Sequence, residues 1–175
     1  MTSEPSRSEF SRVERLDTIG GEDRHVAIAA DAAERAAIAA RFGLVAVDKL
    51  EAELDVRREA AGIAVRGRVV AEVVQACSIT GEPLPARIDE PVALRFVEPA
   101  RPGEDEVELG SDALDTVEIE GGGIDLGEAA AETMALALDP FPRGPNAAAA
   151  LKEAGVVSEE EAGPFGVLKG LLDRK

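Results

Sequence analysis

Three consecutive segments between Lys49 and Phe96 alternate apolar and polar side chains at every second position. That period suits a β-sheet with one buried and one wetted face. In the first segment Leu50, Ala52, Leu54 and Val56 share a face against Lys49, Glu51, Glu53 and Asp55. In the second, Ile63, Val65, Val69, Ala71 and Val73 oppose Arg66, Arg68 and Glu72. In the third, Ile88, Val92, Leu94 and Phe96 oppose Arg87, Asp89 and Arg95. The links REAAG (58–62) and CSITGEPLP (77–85) are rich in turn residues, which predicts antiparallel hairpins. FSRVERLDTI (10–19) and HVAIAA (25–30), parted by Gly20-Gly21, read as two further strands, and TVEIE (116–120) as a short last one.

Helices interrupt this pattern twice. Asp31 and Glu34 stand three apart at the head of an alanine-rich run, a capping box that predicts a helix over 31–42 stopped by Gly43. Asp125 and Glu128 repeat the spacing and predict a helix over 125–138, with Ala130, Met134 and Leu138 as a core stripe. Met134, Leu136 and Leu138 are expected to anchor that helix, and Pro140 to end it. Short helical pieces follow at AAAALKEAG (147–155) and PFGVLKGLL (164–172). The expected fold is α+β: an antiparallel, curved or barrel-like sheet packed with two main helices and a small helical C-terminal piece. Residues 98–120 hold nine acidic residues and one arginine, which predicts an acidic mobile loop over 99–115. Residues 1–9 read as a flexible tail before a single domain over 10–175.

Charge narrows the function. The chain carries 35 Asp and Glu against 19 Lys and Arg, a formal net charge of -16. A broad phosphate-binding face is disfavoured, and long-range attraction selects basic partners. With no Trp or Tyr and five Phe, stacking platforms for single-stranded nucleic acid are missing. Cys77 is the one thiol, so no internal disulfide forms, and the usage fits a reducing, cytoplasmic setting. No stretch reaches the roughly 20 apolar residues a membrane helix needs, and MTSEPSRSEF lacks the apolar core of a signal peptide.

Catalytic signatures are lacking. Cys77 and His25, the sole imidazole, show no metal-ligand spacing, and neither sits in a nucleophile motif. Gly121-Gly122-Gly123 lacks the lysine of a phosphate loop and reads as a strand-to-helix joint. The sequence predicts no enzyme, no metal and no cofactor.

Cations draw attention on so acidic a chain. Arg57, Arg58, Arg66 and Arg68 gather around one hairpin, as a local basic stripe or as cross-strand partners of Glu53, Asp55 and Glu72. Arg143 is set among Pro140, Pro142 and Pro145. Such a turn either lets Arg143 cover the helix end or pair with Asp139, or presents it to a partner.

VVQACSITGEPLPARIDEPVALRF (73–96) resembles the central hairpin of the YceD family, and GGGIDLGEAAAETMALALDPFPRGP (121–145) resembles that family's acidic cap, helix and LAL-D-P-x-P-R signature in its alphaproteobacterial branch. ADAAERAAIAARFGL (30–44) and PFGVLKGLL (164–172) extend the likeness over nearly the whole chain. Other branches carry further cysteines after the helix that look like metal ligands; here DPFPRGPNA stands in their place. The resemblance implies a part in the accumulation or maturation of large-subunit ribosomal RNA, or in ribosome assembly. Taken with the net charge of -16, that role points to a basic ribosomal or assembly protein as partner, with ribosomal RNA or a pre-ribosomal particle, met through a local basic patch, as the alternative. Candidate binding residues are Gln75, Cys77, Thr80 and Glu82 in the hairpin motif, Pro140, Pro142 and Arg143 after the helix, and Arg66 and Arg68 from the basic stripe.

Overall fold

The computed structural model describes residues 8–99, 114–119 and 121–156. Residues 1–7 of the expected tail, most of the acidic loop over 99–115 and the PFGVLKGLL segment lie outside the described residues; Ser8 and Glu9 of the tail are held by Glu128 and Arg41. The chain runs β1 (Val13–Arg15), β2 (Arg24–Ala29), α1 (Ala32–Phe42), β3 (Ala46–Glu59), β4 (Gly62–Ala76), β5 (Pro83–Val97), β6 (Asp115–Glu118), β7 (Gly123–Asp125), α2 (Leu126–Leu136) and α3 (Ala147–Glu153). These elements divide between two compact units. The first contains residues up to Gln75 together with Pro85–Leu138; the second joins Ala76–Leu84 to the chain from Asp139 onward.

The first unit is built on a five-stranded sheet of order β2-β3-β4-β5-β6. Strands β2, β3 and β4 pair antiparallel, with Leu54 opposite Val26 on one side and Gly67 on the other. The alternation delivers the buried face: Leu50, Ala52, Leu54 and Val56 of β3 are all 2% exposed or less. Ile63, Val65, Val69, Ala71 and Val73 of β4 join them in one core. Gly67 is required where β4 passes β3, because its φ of +155° and a Glu53 carbonyl 2.0 Å from where a Cβ would sit exclude a side chain.

Both helices add to this core. In α1 the capping box forms in both directions: the Asp31 side chain accepts from the Glu34 N–H, and the Glu34 carboxylate accepts from the Asp31 N–H. Gly43 closes the helix in the left-handed region at φ +64°. In α2 the Asp125 carboxylate accepts from the N–H groups of Gly127 and Glu128, whereas Glu128 turns away from the cap to Arg41. Ile38 of α1 and Leu126, Ala130 and Met134 of α2 complete the cluster.

Several expectations need correction. The sheet is open and not a barrel, since its order ends at β2 and β6. Nor is it wholly antiparallel: β6 runs parallel to β5, pairing Leu94 with Asp115 through Val97 with Glu118. The long link over 98–114 permits this, since parallel neighbours need a long crossover. β1 leaves the main sheet and pairs antiparallel with β7. The start of α2 holds it there: the Asp125 carboxylate accepts from the Arg12 N–H at 2.7 Å, and the Leu126 N–H donates to the Arg12 carbonyl at 3.0 Å. Arg95, expected on the wet face, is buried at 8% exposure and reaches Glu59 at 3.9 Å. The regular part of α2 ends at Leu136, with short turns from Ala137 to Met134 and from Leu138 to Ala135 ahead of Pro140. Leu136 is 88% exposed and does not anchor the helix to the core of the described residues, while Met134 is fully buried.

Candidate functional site

The second unit brings two sequence-distant segments together. Cys77 opens a tight turn in which the Gly81 N–H donates to the Cys77 carbonyl at 2.8 Å, and Gly81 takes a positive φ of 73°. The Cys77 N–H donates to the Glu82 carbonyl, also at 2.8 Å, and shuts the loop. Against this turn lies the proline-rich segment. The Ser78 N–H donates to the Pro142 carbonyl at 2.8 Å, and the Gly144 N–H donates to the Cys77 Sγ at 3.3 Å. Thr80 donates its N–H to the same sulfur at 3.4 Å. Its hydroxyl donates to Glu82 Oε2 at 2.9 Å, while Glu82 Oε1 accepts from the Asn146 side-chain amide at 3.0 Å.

The thiol responds to these donors. Cys77 is 3% exposed, yet its pKa falls to about 6, chiefly through the Gly144 N–H, then through Thr80 and the Ile79 N–H. Hydrogen bonds to the charged form outweigh the burial that opposes it. Gly144 packs closely here: a Cβ would stand 3.0 Å from Leu84 Cδ2. The arrangement holds shape: one sulfur and one carboxylate pin the chain that follows Asp139.

That pinned chain carries exposed groups. Asp139 Oδ1 accepts from the Phe141 N–H at 2.9 Å and fixes the entry to the turn. Phe141 is 71% exposed. Arg143 is exposed two residues later and makes no ion pair with a described residue. The structure thus gathers Cys77, Thr80, Glu82 and Pro142 and presents Arg143 beside them. It adds Gly144, Asn146 and Phe141, which the sequence reading missed. The signal for Phe141 was an aromatic in a run that no helix or strand could bury.

A comparison with protein-family models matches residues 65–172 to "Large ribosomal RNA subunit accumulation protein YceD". The match spans more than half of the chain.

The chain belongs to the YceD family.

No curated protein and no solved structure matches. The YceD match starts within β4 and takes in both segments of the Cys77 site. Membership carries a role in the accumulation of large-subunit ribosomal RNA, and the YceD family is one of accumulation factors, not a known enzyme family. Among the described residues no helix is long and apolar enough to cross a membrane. No cluster of three or more His, Cys, Asp or Glu is placed to hold a metal there either.

Pro140 is exposed in the second unit, and the other candidates sit in the first. Gln75 lies at the end of β4 and is 9% exposed. Arg66 donates to Glu59 Oε1 at 3.1 Å, and Arg68 is paired with Asp89. Glu59 also accepts from Arg57 at 2.6 Å, and these arginines, Arg57 foremost, lower its pKa. Elsewhere Arg12 forks Glu34, and Arg41 forks Glu128.

Proposed function

We propose that this YceD-family chain is a non-enzymatic ribosome-assembly factor that acts on large-subunit ribosomal RNA indirectly, by binding a basic ribosomal or assembly protein. The observation that carries this reading is the state of the cations. A net charge of -16 is combined with arginines already held by carboxylates: Arg12 by Glu34, Arg41 by Glu128, Arg57 and Arg66 by Glu59, Arg68 by Asp89. Phosphate binding needs uncommitted cations gathered on a face. A basic protein needs only the carboxylates that remain. Arg143, presented with Phe141 on the turn pinned by Cys77 and Glu82, supplies a directional contact to a carboxylate of that partner.

A second reading, direct contact with ribosomal RNA or a pre-ribosomal particle, has one observation in its favour. Arg57, Arg66 and Arg95 converge on the single carboxylate of Glu59, with Arg68 two residues from Arg66. Binding of purified chain to large-subunit ribosomal RNA across a salt series separates the two. The protein-partner reading expects weak binding with a shallow slope. A steep fall of log K with log salt, reduced by Arg66→Ala and Arg68→Ala, makes RNA the target.

A further inference from the structure

The first unit contains a groove of about 1070 Å³ between β6, β7 and α2. Its floor is apolar, from Leu94 and Phe96 of β5 with Val117 and Ile119 at β6. Two of the most exposed large apolar residues in the described structure stand on its walls: Val13 of β1 at 60% exposure and Leu136 of α2 at 88%. Exposed apolar side chains beside an apolar groove mark an interaction site. The wall is also acidic. Asp115, Glu118, Asp125, Glu128 and Glu132 line it, against Arg15 alone among cations.

One of these carboxylates, Glu132, is in a state that a cation would relieve. Glu128 and Glu132 are four residues apart on α2, so like charges share one helix face, which disfavours the helix. Arg41 satisfies Glu128 at 2.6 Å. Glu132 forms no ion pair among the described residues, and its pKa is raised, first by desolvation and then by the charge of Glu128. The neighbouring β6 is an edge strand, hydrogen-bonded to β5 on one side and to no described strand on the other. An open strand edge accepts an extended chain, whose alternate side chains then point into the groove.

We infer that this groove binds an extended segment of a protein partner in which lysine or arginine alternates with aliphatic residues. The segment adds along β6, its aliphatic side chains cover Phe96, Val117 and Leu136, and a cation meets Glu132. This rests on the reading of a basic protein partner and names where that partner is held.

The test uses full-length chain labelled for amide NMR and a synthetic peptide of about eight residues alternating lysine and valine, the length of a strand. The inference expects saturable binding with shifts confined to the groove residues of β5, β6, β7 and α2. Glu132→Lys and Leu136→Ser are expected to weaken it about tenfold each. Glu132→Lys places a lysine four residues after Glu128, so its Tm is expected to hold or rise while binding falls, an opposition that a merely structural role does not produce. Shifts spread over the other acidic surface, or equal affinity in both variants, overturn the groove. A second arm offers protein stripped from large ribosomal subunits. If the wild type and both variants retain a basic protein equally, the groove is wrong and the partner reading stands. If the wild type retains none, the partner reading fails and the groove falls with it.

Discussion

The backbone N–H of Gly144 donates to the sulfur of Cys77 at 3.3 Å, across 67 residues of sequence. That contact, with the Ser78 N–H on the Pro142 carbonyl, makes the turn after Cys77 and the DPFPRGP stretch one structure. The thiolate is its natural charge state, because N–H donors favour the anion, so stability is tied to pH. The folded pKa, about 6, lies below the ordinary thiol value of about 8.5 in an unfolded chain. Between these values the folded state has lost a proton that the unfolded state keeps. Stability from this group is therefore absent below pH about 6, grows through the window, and is complete above about 8.5. Thermal unfolding between pH 5.5 and 9 is expected to show a rising component that Cys77→Ser removes, with the thiolate's ultraviolet absorbance titrating near the lower value. An unchanged profile in the variant contradicts the assignment.

Gly67→Ala is expected to destabilise the first unit by about 2–4 kcal/mol. The new Cβ would meet the Glu53 carbonyl at 2.0 Å, in a backbone region that alanine rarely adopts. Denaturant unfolding checks this, and a change under about 0.5 kcal/mol would show that the β3–β4 approach can relax.

The burial of α2 makes a paired prediction. Met134 is fully buried, so Met134→Ala is expected to cost about 2–5 kcal/mol. Leu136 is 88% exposed, so Leu136→Ala is expected to change stability by about 0.5 kcal/mol or less. Equal costs would mean that the helix presents another face.

The contrast between those two residues shows where the sequence was informative. Periodicity and capping placed β3, β4 and α1 closely, because period-2 burial and the Asp31–Glu34 pair are local signals. Leu136 sat in a run whose every other residue is apolar, so spacing alone did not reveal which side met the core. Parallel β6 and the departure of β1 to β7 depend on partners about 20 and 110 residues away, beyond what a local pattern can report. Arg95 was assigned outward by alternation, yet it is buried and reaches the half-buried Glu59. Of the candidate site, Pro142 and Arg143 came from a cation set among prolines on an acidic chain, and Cys77, Thr80 and Glu82 from the family resemblance. Gly144 and Asn146 became visible only when the fold brought them to the sulfur and to Glu82.

Arg143→Ala is expected to leave the Tm within about 1 °C of wild type, because the side chain is exposed and outside every ion pair among the described residues. Partner binding is expected to weaken about tenfold, and Arg143→Lys is expected to recover little of it, since a lysine cannot fork a carboxylate. A lower Tm with unchanged binding would make Arg143 structural.

Whether the YceD chain reaches ribosomal RNA through a protein or directly is decided by one measurement. Tagged chain is isolated from its own cells at low salt, the sample is divided, and one half is treated with ribonuclease before washing. The account predicts that a basic large-subunit or assembly protein stays bound in near-stoichiometric amount in both halves and leaves as salt is raised. Loss of every bound protein from the ribonuclease-treated half, with ribosomal RNA retained in the other, would contradict it.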